Sequence, residues 1–240
     1  MVNFSAGANT PLASIITAGL VAVTLLVLTS LFFFLPKATL GAIIILAVLP
    51  LIDTHSLKHA WGYDRADAFA LLATFFTVLI IDVESGIITG VIISIGLYLH
   101  RSSQPHIAIV GQVGESEHYR NINRHTVNTD NSILAIRVDE NLYFANTNYL
   151  EDTIMRIVAD NPSIKHLVLI CSSISFIDTS ALESLDNIHY RLDKAGISLN
   201  LAEIKGPVMD KLQKTAFINR LGADRIFLST HQAMQTLKEQ

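Results

Sequence analysis

Cysteine is nearly absent from this sequence, since Cys171 is the only one in 240 residues. A chain with one cysteine forms no internal disulfide and no cysteine-based metal cluster. The nine histidines are scattered along the chain without the spacing that metal ligands require. We therefore expect neither a metal site nor a bound cofactor.

Charge is also scarce, above all in the first 106 residues. Half of the chain is apolar and the formal net charge is -4. The charged residues up to His106 are Lys37, Asp53, Lys58, Asp64, Arg65, Asp67, Asp82, Glu84 and Arg101. This uneven spread predicts a membrane half followed by a soluble half. The sequence also lacks a basic run with interleaved aromatics, which argues against a nucleic-acid partner.

Sequence motifs of enzymes are missing as well. No Ser/His/Asp set and no glycine-rich phosphate loop occurs at an informative spacing. Lys205-Gly206-Pro207 precedes a predicted helix but is not a phosphate-binding loop. Asp178 has no carboxylate or histidine partner close by in the sequence. We therefore predict that the protein is not an enzyme.

Long apolar runs, by contrast, are abundant. Residues 12–35 carry no charge, and about 20 such residues suffice to cross a bilayer. We expect a membrane-spanning helix there. A signal peptide is the alternative, but no basic region precedes the run and further apolar segments follow it.

Three shorter apolar segments follow at 38–52, 68–81 and 86–99. Each is short for a full span, so a buried helix in a soluble core is the competing interpretation. Four such segments in succession leave almost no polar surface to cover a soluble core, which favours helices packed within a membrane. The polar residues 53–67 are predicted to form a loop.

The basic residues give the predicted orientation of these segments. If the segments alternate across the bilayer, Lys58, Arg65 and Arg101 share one side and Lys37 lies on the other. By the positive-inside rule, the C-terminal half is then cytoplasmic. In the last segment Gly86, Gly90 and Ser94 recur at a spacing of four, which predicts close helix packing along one face.

From about Pro105 the pattern changes to short apolar runs that alternate with amphipathic stretches, as in an α/β domain. The predicted strands are 107–113, 132–138, 166–171, 198–202 and 226–228. The predicted helices are 148–160, 180–195, one after Pro207 and one from Thr230. We therefore divide the chain into a membrane part, 1–104, and an α/β domain, 105–240.

The most informative segment of the α/β domain is Asp178-Thr179-Ser180, where an apolar strand gives way to a helix. One interpretation is a helix N-cap, with Glu183 three residues after Ser180 as in a capping box. The other is a phosphorylation or anion-contact site, because a helix N-terminus also stabilises phosphate. The residues leave both interpretations open.

Two segments of the α/β domain, FIDTSA at 176–181 and LYFAN at 142–146, resemble the STAS domains of SulP/SLC26 anion transporters. The N-terminal segments GANTPL at 7–12, LPKA at 35–38 and AII at 42–44 are similar to late membrane segments of the same family, and RSSQPHIA at 101–108 is similar to its junction with the STAS domain. Asn9 departs from the pattern, because many relatives carry a basic residue there.

The resemblance implies the last four segments of a transporter with two inverted repeats of seven, followed by a cytoplasmic STAS domain. It implies secondary active transport of an inorganic anion such as sulfate, with proton or sodium coupling, by a multi-pass homodimer of the inner (plasma) membrane. The helices that line the anion site would precede Met1, so no substrate-binding residue is assigned. The chain is therefore expected to be a piece of a longer protein that does not transport alone.

The resemblance also implies that Thr179 or Ser180 matches the phosphorylated hydroxyl of soluble STAS proteins. A regulatory protein or a nucleotide is an expected partner of the STAS domain. The alternative function is a membrane-tethered STAS module for signalling or protein interaction, in which the helices serve only as an anchor.

Overall fold

Helices make up most of the described part of the N-terminal region. The computed structural model describes residue 10 and residues 12–27, 36–48 and 54–239. The helices are α1 (Leu12–Val27), α2 (Lys37–Val48), α3 (Thr54–Tyr63), α4 (Arg65–Ile80) and α5 (Val83–Ser102). Residues 28–35 and 49–52, where the first two predicted spans end, lie outside the described residues, as does Asn9.

Helix α3 corrects the sequence prediction, which placed a polar loop at 53–67. The segment contains no proline, and its half-buried Leu57 and Ala60 are three residues apart, on one helical face. Polarity alone does not prevent a helix from forming. A single residue, Asp64, separates α3 from α4, and its Oδ1 accepts a hydrogen bond from the Ala66 N–H at 2.8 Å.

Helix α5 is longer than the predicted segment 86–99. Asp82 caps its first turn by accepting a hydrogen bond from the Ser85 N–H at 2.7 Å, and His100 and Arg101 lie in the last turn, where positive charge is favourable. Its 20 residues are long and apolar enough to cross a membrane, and among the described residues α5 alone meets that criterion.

The chain divides into two compact units, residues 1–72 and 73–240. The second unit contains a six-stranded sheet in the order β2-β1-β3-β4-β5-β6. The strands are β1 (Ile107–Gln112), β2 (Tyr119–Asn121), β3 (Ile133–Val138), β4 (His166–Ile170), β5 (Ser198–Ala202) and β6 (Ile226–Phe227). Strand β1 is antiparallel to both neighbours, whereas β3 to β6 are parallel.

Helices cover both faces of this sheet. They are α6 (Thr147–Asp160), α7 (Thr179–Lys194), α8 (Gly206–Gln213), α9 (Phe217–Leu221) and α10 (Thr230–Lys238), with a 3₁₀ turn at Ala223–Arg225. Apolar residues of α6 to α9 share one buried cluster with Leu134 and Ile136, while α10 packs with Ile133 and Ala135 on the other face. Because both faces are covered, β3 and β4 are almost wholly apolar.

The fold class expected from the sequence is confirmed: a helical region is followed by an α/β domain with a mixed sheet. The sequence did not predict β2 or α9. Both are short, three and five residues long, and elements of that length leave little periodicity to recognise.

Candidate functional site

The segment before α7 forms the candidate site. Asp178 is the N-cap residue of α7, and its Oδ1 accepts a hydrogen bond from the Ala181 N–H at 2.8 Å. Thr179 and Ser180 are the first two residues of the helix, so the capping box expected from Ser180 and Glu183 is wrong. Thr179 is exposed and Ser180 is half-buried.

The second oxygen of Asp178 ties the helix start to a distant segment. Its Oδ2 accepts a hydrogen bond from the Phe144 N–H at 2.9 Å. Leu142 also donates its N–H to the Phe176 carbonyl at 3.3 Å and forms a parallel bridge with Ile177. The segments 142–146 and 176–181, which stand apart in the sequence, therefore lie side by side.

Two asparagines hold this pair of segments in place. The Asn141 Oδ1 accepts hydrogen bonds from the N–H groups of Ser175, at 2.8 Å, and Phe176, at 3.0 Å. Fully buried Asn146 accepts from the Tyr143 N–H at 3.0 Å and donates to the Asn141 carbonyl at 2.8 Å. A buried amide that is hydrogen-bonded on both sides, as that of Asn146 is, favours one loop conformation.

Two lysines lie against the same loop. The Lys211 Nζ donates to the Ile177 carbonyl at 3.1 Å and lies 4.1 Å from the centre of the Phe176 ring. The Lys205 Nζ donates to the Ser175 hydroxyl at 2.8 Å. Sequence reasoning missed both lysines and Asn141. Asn141 directly precedes the segment 142–146 that carried the family resemblance, whereas the two lysines are distant in sequence from both resembling segments.

A cavity of about 330 Å³ lies beside the start of α7 and is lined by Phe176, Asp178, Thr179 and Lys211, among others. The positive end of the helix and the Lys211 ammonium both favour an anionic group there. The Asp178 carboxylate opposes a free anion, but it leaves the exposed Thr179 hydroxyl accessible.

The same loop reaches the C-terminal end of helix α5. The Tyr143 hydroxyl and the Ser102 hydroxyl are hydrogen-bonded, and a cavity of about 490 Å³ lies between the end of α5 and residues 139–143. Tyr143 is adjacent to Phe144, whose N–H binds Asp178. A continuous path of contacts thus connects Asp178 with helix α5.

A charged cluster lies next to this junction. Asp139 accepts hydrogen bonds from Arg137 Nε at 2.5 Å and from His106 Nδ1, when that nitrogen is protonated, at 2.7 Å. Partial burial by itself would raise the pKa of Asp139, but the hydrogen bonds from Arg137 and His106 outweigh it and lower that pKa. Asp139 is therefore ionised at neutral pH.

Cys171 offers no reactive thiol to this site. It is buried, and desolvation raises its pKa to about 12, with a smaller contribution from the charge of Glu203. A thiol with so high a pKa is protonated and unreactive. Within the ranges that the structure describes, no group of three His, Cys, Asp or Glu side chains is placed to hold a metal ion.

Comparison with known proteins finds family matches for both the N-terminal helical region and the α/β domain. The model of the Sulfate permease family matches residues 1–74, and that of the STAS domain matches residues 124–233. The chain belongs to the sulfate permease family. The two matches stand in the order that the sequence predicted, the sulfate permease segment first and the STAS domain after it.

Its relatives among curated proteins are named as transporters. The sulfate permease chain is 37% identical to Sulfate transporter 1.3 of Arabidopsis thaliana over 245 residues, an alignment that covers 98% of the chain and 37% of the relative. It is 34% identical to High affinity sulfate transporter 2 of Stylosanthes hamata, with 98% and 37% covered. The chain therefore spans less than two fifths of the length of these relatives.

A solved structure supports the fold of the sulfate permease chain. The murine Solute Carrier 26 family member A9 anion transporter, in its inward-facing state, matches 98% of the chain and 39% of its own length. The TM-score is 0.81 and the sequence identity is 22%. At that identity the likeness concerns the fold alone.

Proposed function

We propose that the full-length protein is a secondary active transporter of inorganic anions, with sulfate as the preferred substrate. In this proposal the present chain supplies late membrane helices and a STAS regulatory domain. The observation that carries it is the order of the two family matches in one chain, together with 37% identity to a sulfate transporter. Alternating access with proton or sodium coupling completes the proposal.

Uptake of labelled sulfate into proteoliposomes tests this function. We expect no uptake by the 240 residues alone and uptake by the same chain extended with its preceding coding sequence. Imposed proton or sodium gradients would identify the coupling ion. If the 240 residues transport sulfate unaided, the anion site lies among residues 12–99 and the placement upstream is wrong. If neither form transports any inorganic anion, the transporter proposal fails.

We further propose that the protein is a multi-pass homodimer of the inner (plasma) membrane with its STAS domain in the cytoplasm. The charge asymmetry supports the orientation, because Lys58, Arg65 and Arg101 fall on one predicted side. Light scattering of the detergent-solubilised protein, corrected for bound detergent, measures the oligomeric state. A monomer under all solubilising conditions would contradict the homodimer.

The hydroxyl of Thr179 or Ser180 is the proposed regulatory phosphorylation site. Thr179 is exposed at the positive end of α7 and shares a cavity with Lys211, which would stabilise an added phosphate. Mass spectrometry of protein from its host should find the modification, and Thr179→Val and Ser180→Ala should show which hydroxyl carries it. Absence of the modification under every growth condition would count against this role.

The exposed aromatic side chains beside the loop favour one alternative function, a membrane-tethered STAS interaction module. Phe144 is 64% exposed and Phe176 is 46% exposed, and aromatic side chains are common anchors in protein interfaces. The uptake experiment separates the two functions. An extended protein that binds a regulatory protein or a nucleotide but transports no anion is such a module.

A further inference from the structure

A third cavity lies on the face of the sheet that α10 covers, opposite the face covered by α6 to α9. It has a volume of about 230 Å³, and the polar side chains that line it include Glu117, His118, Arg120, Arg137, Ser172 and Glu203. We call it the Glu203 pocket. Ligand cavities for drug-sized molecules span about 300–1,000 Å³, so this pocket suits a ligand of few atoms.

The position of the Glu203 pocket follows from the pleat of the sheet. Ile133 and Ala135 face α10, and the period of two in a strand places Arg137 on the same face. Val168 and Ile170 also face α10, and the same period of two places Ser172 on that face. Helix α10 buries Ala233, Met234 and Leu237 over the middle of this face. The carboxyl ends of β3 to β5 remain open, and open α/β sheets bind ligands outside these ends.

Glu203 has an unusual backbone conformation. Its φ of 58° is the only positive φ of a non-glycine residue in the described part of the chain, and such a conformation is strained for a residue with a side chain. Its Oε1 accepts hydrogen bonds from the Thr230 N–H, at 3.1 Å, and the Thr230 hydroxyl, at 2.6 Å. Both bonds use one oxygen, and no bond within the described residues engages Oε2.

The Glu203 carboxylate already occupies the N-terminus of α10, where a simple anion would otherwise bind. A second negative charge would therefore be repelled, whereas a cationic group would be attracted to Oε2. Positive groups line the pocket too. The Nε and Nη2 atoms of Arg137 donate hydrogen bonds to Asp139. The Nη1 amino group has no partner among the described residues and is therefore available to a ligand. The Arg120 side chain is exposed and has no hydrogen-bond partner there.

We propose that the Glu203 pocket binds a small zwitterion of the amino-acid type. The ligand carboxylate contacts Arg120 and Arg137, and the ligand ammonium contacts the Glu203 Oε2. A ligand with only a carboxylate would be attracted by the arginines but repelled by Glu203, and a ligand with only an ammonium would meet the reverse. Charge-assisted hydrogen bonds at both ends are therefore needed. This site is separate from the segment Asp178-Thr179-Ser180 at the start of α7. Its ligand is a regulator rather than the transported anion.

Calorimetric titration of the full 240-residue chain in detergent tests the proposal with glycine and L-serine as probes. We expect saturable binding of at least one probe at millimolar concentration. The half-ligands ethanolamine and 3-hydroxypropionate, and inorganic sulfate, should bind about tenfold more weakly or not at all. No binding of either amino acid, or tighter binding of sulfate than of both, would overturn the proposal.

Substitutions then locate the site. Glu203→Gln keeps an acceptor for Thr230 but removes the charge, and we expect it to weaken binding about tenfold, as Arg120→Gln should. The matched control is Arg124→Gln, an exposed arginine outside the pocket, which should bind as the parent does. Protection of buried Cys171 from a thiol reagent shows that each variant is folded. Unchanged affinity in both pocket variants would contradict the assignment.

Discussion

Each carboxylate oxygen of Asp178 accepts a different backbone N–H. One bond, to Ala181, stabilises the first turn of α7, and the other, to Phe144, holds the neighbouring segment. A helix cap contributes about 1 kcal/mol, and a hydrogen bond to a charged group contributes about 1.5–3 kcal/mol. Asp178 therefore stabilises the loop itself as well as the helix.

Asp178→Ala should lower the free energy of unfolding of the α/β domain by about 2 kcal/mol, because both N–H groups lose their acceptor. Asp178→Asn retains an acceptor for the cap and should lower the free energy of unfolding by about 1 kcal/mol. The urea dependence of Cys171 labelling measures this, because that buried thiol becomes reactive when the domain unfolds.

The matched control for Asp178 is Asp193→Ala, an exposed aspartate near the other end of the same helix. Negative charge is unfavourable at a helix C-terminus, so the substitution should change stability by less than about 0.5 kcal/mol. Equal losses of stability at Asp178 and Asp193 would mean that the two hydrogen bonds of Asp178 do not stabilise the domain.

Because of His166, the stability of the α/β domain should depend on pH. Burial lowers its pKa below the ordinary value of 6.5, with smaller contributions from Lys165 and Arg225. The unfolded chain therefore binds a proton at a higher pH than the folded chain does. The contribution of His166 to stability is complete above pH 6.5 and is lost as the pH falls through the folded-state pKa.

Acidification from a pH of about 8 to about 5 should therefore destabilise the parent protein more than His166→Gln. Urea unfolding at both pH values, followed by circular dichroism, gives the difference, and other titrating groups cancel in the comparison. His125→Gln, at an exposed position, should retain the parental loss. An equal loss in all three proteins would show that His166 does not carry the effect.

At the scale of elements, α4 and α5 approach each other through two glycines. A Cβ atom at Gly86 would overlap Val78 Cγ2, and one at Gly90 would lie 2.7 Å from the Thr74 Oγ1. The sequence predicted a packing face formed by Gly86, Gly90 and Ser94. The structure places the two glycines in the contact, whereas Ser94 is exposed.

Gly86→Ala and Gly90→Ala should each destabilise the α4–α5 contact by about 1–3 kcal/mol, because the added methyl group forces the helices apart. Gly96→Ala is the matched control, since a Cβ there meets no atom within 4 Å, and it should be neutral or slightly stabilising. Thermal denaturation of the detergent-solubilised chain measures all three. A Gly96→Ala loss as large as the others would implicate helix flexibility instead of packing.

At the scale of the whole molecule, the single buried cysteine makes the orientation in the membrane measurable. Cys171 reacts poorly while folded, so an introduced surface cysteine is the main labelling site. We expect Glu115→Cys, in an exposed turn of the α/β domain, to react with a membrane-impermeant maleimide only after intact cells are permeabilised.

Lys37→Cys provides the opposite case. Lys37 is exposed at the start of α2 and is the basic residue predicted to face outward, so its cysteine variant should be labelled in intact cells. Labelling of Glu115→Cys without permeabilisation, with Lys37→Cys protected, would reverse the proposed orientation.

Local sequence patterns were enough to predict the fold class and most of the α/β elements. Strands β4 and β5 were predicted within a residue of their ends, because strands buried on both faces are mostly apolar, with Asn200 as the polar exception inside β5. The start of α7 was predicted to within a residue from the segment Asp178-Thr179-Ser180, because a capping side chain acts within its own turn, although the cap is Asp178 and not Ser180. These signals are local, and local signals remain visible in a single sequence.

The contacts that the loops make became clear only from the folded chain. The bonds from Asp178 to Phe144 and from Asn141 to Ser175 span 34 residues each, and the Glu203 pocket combines residues of several strands. Helix α3 was missed because polarity does not distinguish a loop from a polar helix. Contacts between distant residues depend on how the strands are ordered in the sheet, and no local pattern encodes that order.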